Sequence, residues 1–409
     1  MKTFCTRCLL LLAVLGWGWS CKTPPRAVED DGRIAFTILQ VNDVYEIAPL
    51  PGDDRGGMAR LKALLDSLEA QTPNTLFVLA GDFLNPSLLG SLKFEGERIK
   101  GRHMVEVMNA AGIDLVVFGN HEFDLEVEDL QRRLDESEFE WLATNVLQRK
   151  GEALEPFRRR GKPCPESFIW NLRDADGTTL RVGFFGAVIN SNEKDYVHYE
   201  DPYAEARKAY RELAAQCDLV LGLTHLEMEM DLKLASLLPE VPLIMGGHEH
   251  DLHYDSVGSV HIAKADANAK TAWVHRFEVS KRPVLSHRLR SEVVAIDGGR
   301  PEDSAVAALV ERWLRIQNAE IGKIGVDPAA VIYHAAEPLD GREKSIRNEQ
   351  TNLGRLIAEA MYAAAAQPVD GALYNSGSVR IDDQLVGDLT AVDVFRALPF
   401  GGGLVEVTL

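Results

Sequence analysis

From Ile34 onward the chain alternates short apolar runs with longer amphipathic stretches. The runs Ile34–Val41, Leu76–Ala80, Leu115–Phe118, Val182–Val188, Leu219–Leu223 and Leu243–Met245 are almost continuously apolar, which predicts strands buried on both faces. After Gly56-Gly57, the side chains Leu61, Leu64, Leu65 and Leu68 fall on one helical stripe, and Ala204–Leu213 reads as a second amphipathic helix. Strand and helix in alternation predict parallel pairing with helices outside, an α/β domain. Val260–Arg290 alternates apolar and polar positions and is predicted to be antiparallel. Farther on, Pro301–Ala319 is predicted as a connecting helix and Thr351–Ala366 as an Ala-rich helix. Asp370–Arg380 is predicted to hold a short strand and a turn, and Val405–Leu409 a strand. A chain that stops inside a strand leads to the expectation that its last domain is incomplete.

Polar residues gather where the apolar runs stop. Ile34–Val41 leads into Asn42-Asp43-Val44-Tyr45, and residues two apart on an extended chain point the same way, so Asp43 and Tyr45 are expected to share a face. The next run ends at Gly81-Asp82, the following one at Gly119-Asn120-His121-Glu122-Phe123-Asp124, then Thr224-His225 and Gly246-Gly247-His248-Glu249-His250. Carboxyl ends of parallel strands lie side by side, and ligands bind there. Asp43, Asp82, Asn120, His121, His225, His248 and His250 are therefore expected in one crevice. Oxygen and imidazole donors without thiolate suit zinc, manganese or iron. The glycines before Asp82, Asn120 and His248 are expected to turn the backbone so that these side chains face inward. Singly, a Gly-Asp pair is a turn and a lone histidine a hydrogen-bonded core or surface group. His103, His198, His253, His261, His275, His287 and His334 carry only that reading. The ordered set carries the inference.

Composition narrows the partners. The chain has 409 residues and a formal net charge of −18, which suits two or three domains and argues against a phosphate-tracking surface for nucleic-acid polymers. At its start, Lys2 and Arg7 precede the apolar run Leu9–Leu15, and Gly16–Ser20 lead to Cys21. This is similar to a secretory signal over residues 1–21, with Cys21 placed like the lipid-attachment cysteine of a bacterial lipoprotein. Export to the periplasm, or to a membrane-tethered site on the bacterial envelope, is the expectation. Cys164 and Cys217 alone follow the leader, so no cysteine framework exists.

In this order, Asp43, Gly81-Asp82, Gly119-Asn120-His121-Glu122, His225 and Gly247-His248-Glu249-His250 resemble the motifs of the calcineurin-like metallophosphoesterases. Ser345–Gly354, Asn375–Arg380 and Leu398–Gly401 resemble the C-terminal domain of the 5′-nucleotidases, a family that includes the bacterial periplasmic UDP-sugar hydrolase/5′-nucleotidase. The resemblance implies a four-layer αββα-type metallophosphoesterase domain over 31–300, a connector helix over 301–325, and the start of a 5′-nucleotidase C-terminal α/β domain over 326–409. It implies two divalent metal ions bridged by Asp82, one held by Asp43 and His250, the other by Asn120, His225 and His248. His121 would act at the leaving oxygen with Asp124 orienting its ring, while Glu122 would hold the loop. Arg347 and Arg380 match positions that grip substrate oxyanions, Asn375 a base- or ribose-binding amide, and Phe400 one aromatic of a pair that stacks on the nucleobase. Its partner would fall after Leu409.

Tyr45 departs from the pattern, because the family places a histidine there. Three readings stand open: a phenolate ligand, as purple acid phosphatases use from another strand; a hydrogen-bond partner of the site; or a weakened first metal site. The implied activity is phosphate release from nucleoside 5′-monophosphates or related nucleotides. The alternatives are another substrate, such as a 2′,3′-cyclic nucleotide or a thiosulfate ester, or a lipid-tethered binding protein with an impaired site.

Overall fold

The computed structural model describes residues 30–50, 52–381, 383–399 and 403–407, so the leader with Cys21 and the aromatic Phe400 lie outside the described residues. Along the chain run β1 (Arg33–Val41), α1 (Met58–Gln71), β2 (Thr75–Leu79), α2 (Arg102–Ala111), β3 (Leu115–Val117), α3 (Val127–Glu136) and β4 (Glu140–Leu142). There follow β5 (Ser167–Arg173), β6 (Thr179–Val188), α4 (Pro202–Ala214), β7 (Leu219–His225), α5 (Met228–Leu237), β8 (Leu243–Met245), β9 (His253–Val257) and β10 (Val260–Lys264). The long hairpin β11 (Thr271–Ser280) and β12 (Ser286–Ala295) precedes α6 (Ser304–Gly322).

These strands form two six-stranded sheets, ordered β12-β11-β1-β2-β3-β4 and β5-β6-β7-β8-β10-β9. The central strands pair in parallel, as does the edge strand β4 with β3, and antiparallel strands close the other edges: β11 lies antiparallel to β1 and to β12, β5 to β6, and β9 to β10. Val260–Lys264 departs from the antiparallel expectation on one side, where it pairs in parallel with β8. The near-continuous apolar runs are explained by what lies on each side of them. In β2 and the residue after it, Leu76, Val78 and Ala80 pack into a core shared with Val182, Leu221 and Met245 of the other sheet. Phe77 and Leu79 point the opposite way, into a core shared with Leu61 and Leu65 of α1 and Met104 of α2. A third core covers the far face of the second sheet with α4 and α5, through Phe185, Ala206, Leu213 and Leu234. The order is helices, sheet, sheet, helices. All the site-bearing strands are central and buried, which fixes their ends rigidly.

α6 does more than connect. Val306, Val310 and Trp313 are buried in the core of α1 and α2, and Trp313 Nε1 donates to Glu106 Oε2 at 3.0 Å. Beyond it, β13 (Val331–Asp340), α7 (Asn352–Ala363), β14 (Gln384–Thr390) and α8 (Ala391–Ala397) form a smaller unit. Its core holds Leu339, Ile346, Leu353, Val379 and Leu385 around the antiparallel pair β13–β14. The strand expected within Asp370–Arg380 is absent: residues 371–375 are irregular and 376–378 form a 3₁₀ turn. Nor do residues 405–407, the described part of the expected last strand, form a strand; there Glu406 Oε1 accepts from the Ala366 amide at 2.8 Å. Both runs lack a neighbouring strand, and an extended segment becomes a strand only where a partner satisfies its backbone.

Replacing Trp313 with alanine is expected to lower stability by about 3–5 kcal/mol, the cost of a large cavity in a packed core, measured by denaturant unfolding. A loss below about 1 kcal/mol would show that α6 is only a link.

Candidate metal centre and active-site cleft

The tips of β1, β2, β3, β7 and β8 converge at one end of the paired sheets. Asp43, Asp82 and His225 are fully buried, and each offers a ligand atom within 4.8 Å of the others. His225 Nε2 lies 3.1 Å from Asp82 Oδ2, 4.0 Å from Asp43 Oδ1 and 3.2 Å from Asn120 Oδ1. Its Nδ1 is 2.8 Å from the carbonyl of Ala80, which can only accept, so one proton sits there and Nε2 is the nitrogen that faces the carboxylates, open to a cation once it gives up its own proton. The His248 ring is next, 5.3 Å from that of His225 between centroids, and His250 Nε2 is 3.6 Å from Asp43 Oδ1. All six expected ligands are gathered.

The backbone reaches this arrangement in a way the glycine pattern only half anticipates. Among the three glycines, Gly81 alone takes a left-handed conformation. The turns are made by Asp43, Asp82 and His248 themselves, at φ of 52°, 57° and 84°. Such conformations are strained for side chains with a Cβ and cluster at functional sites. Gly119 and Gly247 serve close approach instead, since a Cβ would come within 2.1 Å of Asp82 Oδ1 or of the Ala80 carbonyl.

Two buried carboxylates facing each other demand positive charge. Burial alone would lower the His225 imidazole, yet Asp82 and Asp43 outweigh it and lift its pKa to about 10. Burial raises the Asp43 and Asp82 carboxyls, but His225 reverses this and holds both below the ordinary range. Burial and His225 push His248 down to about 4, leaving a neutral ring with a free lone pair. Buried oxygen and nitrogen donors around a deficit of positive charge fit divalent cations, with Asp43, Asp82, Asn120, His225, His248 and His250 able to hold them.

Tyr45 shares the face of Asp43. Its hydroxyl is 3.3 Å from Asp43 Oδ1, 3.2 Å from Asp82 Oδ2 and 3.2 Å from His250 Nε2. Beside it His121 Nδ1 is 2.7 Å from Asp124 Oδ2, and Arg380 Nη2 reaches across from the second unit to Asp124 at 3.1 Å and His121 at 3.3 Å. Burial lowers His121, but the charges of Asp82 and Asp124 prevail and raise it. Glu122 is fully buried and accepts from the amides of Asp82, Phe83, Leu84 and Gly119 at 2.7–3.1 Å. Burial and Asp82 push its carboxyl up to about 7, and those amides pull the other way. It ties the β2 and β3 tips together.

A cleft of about 580 Å³ opens over Tyr45, His121 and His250 and is walled by Val379, Arg380, Ile381, Arg396 and Pro399 of the second unit. Arg347 and Asn375 are not part of this wall. Arg347 follows a single helical turn and folds back on Glu343 four residues earlier, and exposed Asn375 caps the 3₁₀ turn by accepting from the Gly377 amide at 3.0 Å. Several contributors escaped the sequence. Asn85 and Asn192 donate to the two oxygens of Asp124 at 2.7 and 2.8 Å, Asn42 donates to Asp43 Oδ2 at 2.8 Å, and Arg396 pairs with Glu46 at 3.1 Å. Isolated asparagines carry no spacing signal. Arg396 could have been flagged only as a charge on an otherwise apolar helix face.

The family profile described as calcineurin-like phosphoesterase matches residues 36–252, and that described as 5′-nucleotidase, C-terminal domain, matches 331–409. The chain is 26% identical to the trifunctional nucleotide phosphoesterase protein YfkN of Bacillus subtilis, over 93% of its own length and 27% of that protein, so it spans about a quarter of that relative. It is 27% identical to a 5′-nucleotidase of Vibrio cholerae over 96% of its own length and 77% of that protein. A 5′-nucleotidase precursor from Thermus thermophilus superposes with a TM-score of 0.70 at 24% identity, covering 90% of this chain and 74% of the other, a likeness of fold. With the motifs, the two-sheet fold and the profile matches in agreement, the chain belongs to the calcineurin-like phosphoesterases, metal-dependent hydrolases, and carries a 5′-nucleotidase C-terminal domain.

Proposed function

We propose that the protein releases phosphate from nucleoside 5′-monophosphates or closely related nucleotides, with two divalent cations held at the tips of both sheets. The observation that carries this reading is the chain Arg380–Asp124–His121, which brings a cation from the second unit onto the imidazole beside the buried Asp43–Asp82–His225 cluster. In this reading Asp43, Asp82 and His250 would hold one ion, and Asp82, Asn120, His225 and His248 the other. When bound, the cations supply Lewis-acid polarisation of the phosphoryl group and stabilise charge on its oxygens.

The chain's own residues do the rest. Asp124 holds His121 through Nδ1, leaving Nε2 to give a proton to the departing ribose oxygen, a role that the raised pKa favours. Asn85, Asn192 and Arg380 fix Asp124 in turn. The Arg380 guanidinium offers forked donors suited to a tetrahedral oxyanion. Apolar Val379, Ile381 and Pro399 leave a lipophilic wall against which a nucleoside can rest. The leader pattern supports delivery to the cell envelope with Cys21 as a lipid anchor; among the described residues no helix is long and apolar enough to cross a membrane.

Three expectations follow from these roles. His121→Ala should lower kcat on AMP by about 10²–10⁴-fold with manganese content unchanged by mass spectrometry; turnover at the wild-type rate would remove His121 from the reaction. In a substrate panel, phosphate release from AMP should exceed cleavage of 2′,3′-cyclic AMP or of a thiosulfate ester, and the reverse order would reassign the substrate. A neutral imidazole binds cations near neutral pH without the deprotonation that a phenol of pKa about 10 requires. Tyr45→His should therefore tighten Zn²⁺ binding by about tenfold in calorimetry, with the gain of an imidazole donor that suits this ion; an unchanged affinity would place Tyr45 outside the coordination sphere.

A further inference from the structure

A buried charge cluster lies behind the imidazoles of β7 and β8, and none of the roles above uses it. Lys264, the last residue of β10, is completely buried. Its ammonium donates to the carbonyl of Leu226 at 2.6 Å, pairs with Glu249 Oε2, and stands 3.0 Å from Asp231 Oδ2 as an ion pair rather than an aligned hydrogen bond. Asp231 is itself completely buried and accepts from Thr224 Oγ1 at 2.7 Å, while Glu249 accepts from the Met228 amide at 2.5 Å.

The partners of this cluster are placed in a telling way. Thr224 and Leu226 flank His225 on either side, and Glu249 separates His248 from His250. One ammonium therefore grips both ligand-bearing loops, the β7 end over 224–228 and the β8 end over 246–250. The fit between them is tight. A Cβ on Gly246 would come within 2.8 Å of Lys264 Cε and 2.9 Å of Asp231 Oδ2, so the β8 tip crosses the cluster only as glycine. A buried ammonium–carboxylate pair with a second, partly exposed carboxylate is a poor source of stability, because apolar side chains of the same volume fill such space without the desolvation cost. Nor does the cluster face the cleft, so it has no direct claim on substrate. The two loops it joins carry the His225 and His248 rings, which face each other at 5.3 Å between centroids.

We propose that Lys264, acting through Asp231 and Glu249, is a positioning residue that sets the spacing of the His225 and His248–His250 loops and thereby the affinity of the site for divalent cations. This rests on the two-cation reading above. Groups that orient metal ligands from behind govern affinity more than the chemical step. Removing the ammonium should therefore weaken cation binding, and excess cation should restore turnover.

The test is the Mn²⁺ dependence of the full chain after chelator treatment, for wild type, Lys264→Met and, as a control at the surface, Lys281→Met, whose ammonium pairs with Asp218 at 3.1 Å. For Lys264→Met, the calorimetric Kd for Mn²⁺ and the Mn²⁺ concentration for half-maximal AMP hydrolysis should both rise about 10–100-fold, the range seen when support behind a metal ligand is lost. At saturating Mn²⁺, kcat should return to within about threefold of wild type, since no group at the reacting atoms has changed. Lys281→Met should leave the Mn²⁺ dependence where it was. A Lys264→Met protein with lowered Tm and wild-type Mn²⁺ affinity would reduce the cluster to a structural role and overturn the proposal. If Lys264→Met does not fold, Thr224→Val takes its place, cutting only the neutral link from Asp231 to the His225 strand. A rise in Kd of about threefold is then expected, the worth of one hydrogen bond, and no rise overturns the proposal. Absence of Mn²⁺ binding by the wild type would instead defeat the two-cation reading on which it stands.

Discussion

Two carboxylates, Asp43 and Asp82, are held without solvent at the ends of adjacent parallel strands, and the site is organised around that confrontation. Left alone, like charges in this position would protonate or push the strand tips apart. They are kept together by groups that each answer part of the problem. His225 brings a ring from the second sheet, Asn42 and the His248 amide donate to Asp43, and Tyr45 bridges both acids with its hydroxyl. Glu122 takes the amides of the β2 tip and draws it to the β3 tip. Strain at three left-handed residues is accepted in the same place. A site that gathers buried carboxylates and backbone strain in this way is one that gains from a bound cation.

The smaller C-terminal unit approaches this centre through charge. Arg380 meets Asp124 and His121, Arg396 meets Glu46 next to Tyr45, and Lys270 of the first unit meets Asp383 of the second. Burial raises the Glu46 carboxyl and the Arg396 guanidinium opposes it, so this pair is a contact made at some cost. Ion pairs of this kind set orientation better than they add stability. The cleft they bound has carboxylates and imidazoles at its floor and a partly apolar wall, the division of labour that the proposed nucleotide substrate would use.

Much of this was legible in the chain. The apolar runs are continuous because each strand is covered on both faces, and their polar tips are abrupt because the sheets end at the site, so pattern and chemistry carried the same message. That Asp43, Asp82, Asn120, His225, His248 and His250 gather at one place followed from strand order without any knowledge of the second sheet, although these residues come from both sheets. Reading Gly119 and Gly247 as turn residues failed because periodicity does not reveal that a Cβ would strike a neighbouring strand. The strand expected within 370–380 failed for want of a partner, a long-range property invisible to local propensity. Arg347 and Arg380 look alike as sequence; only the fold decides that one turns back on its own helical turn while the other crosses to His121. The buried cluster at Lys264 gave no signal at all, because its members are far apart along the chain and join only when β10 lies beside β8.

Anomalous diffraction from crystals grown with Mn²⁺ addresses the central claim most directly. Two peaks are expected on opposite sides of Asp82, one bounded by Asp43 and His250 and the other by Asn120, His225 and His248. A single peak, or density away from Asp82, would contradict a centre built to share that carboxylate between two cations.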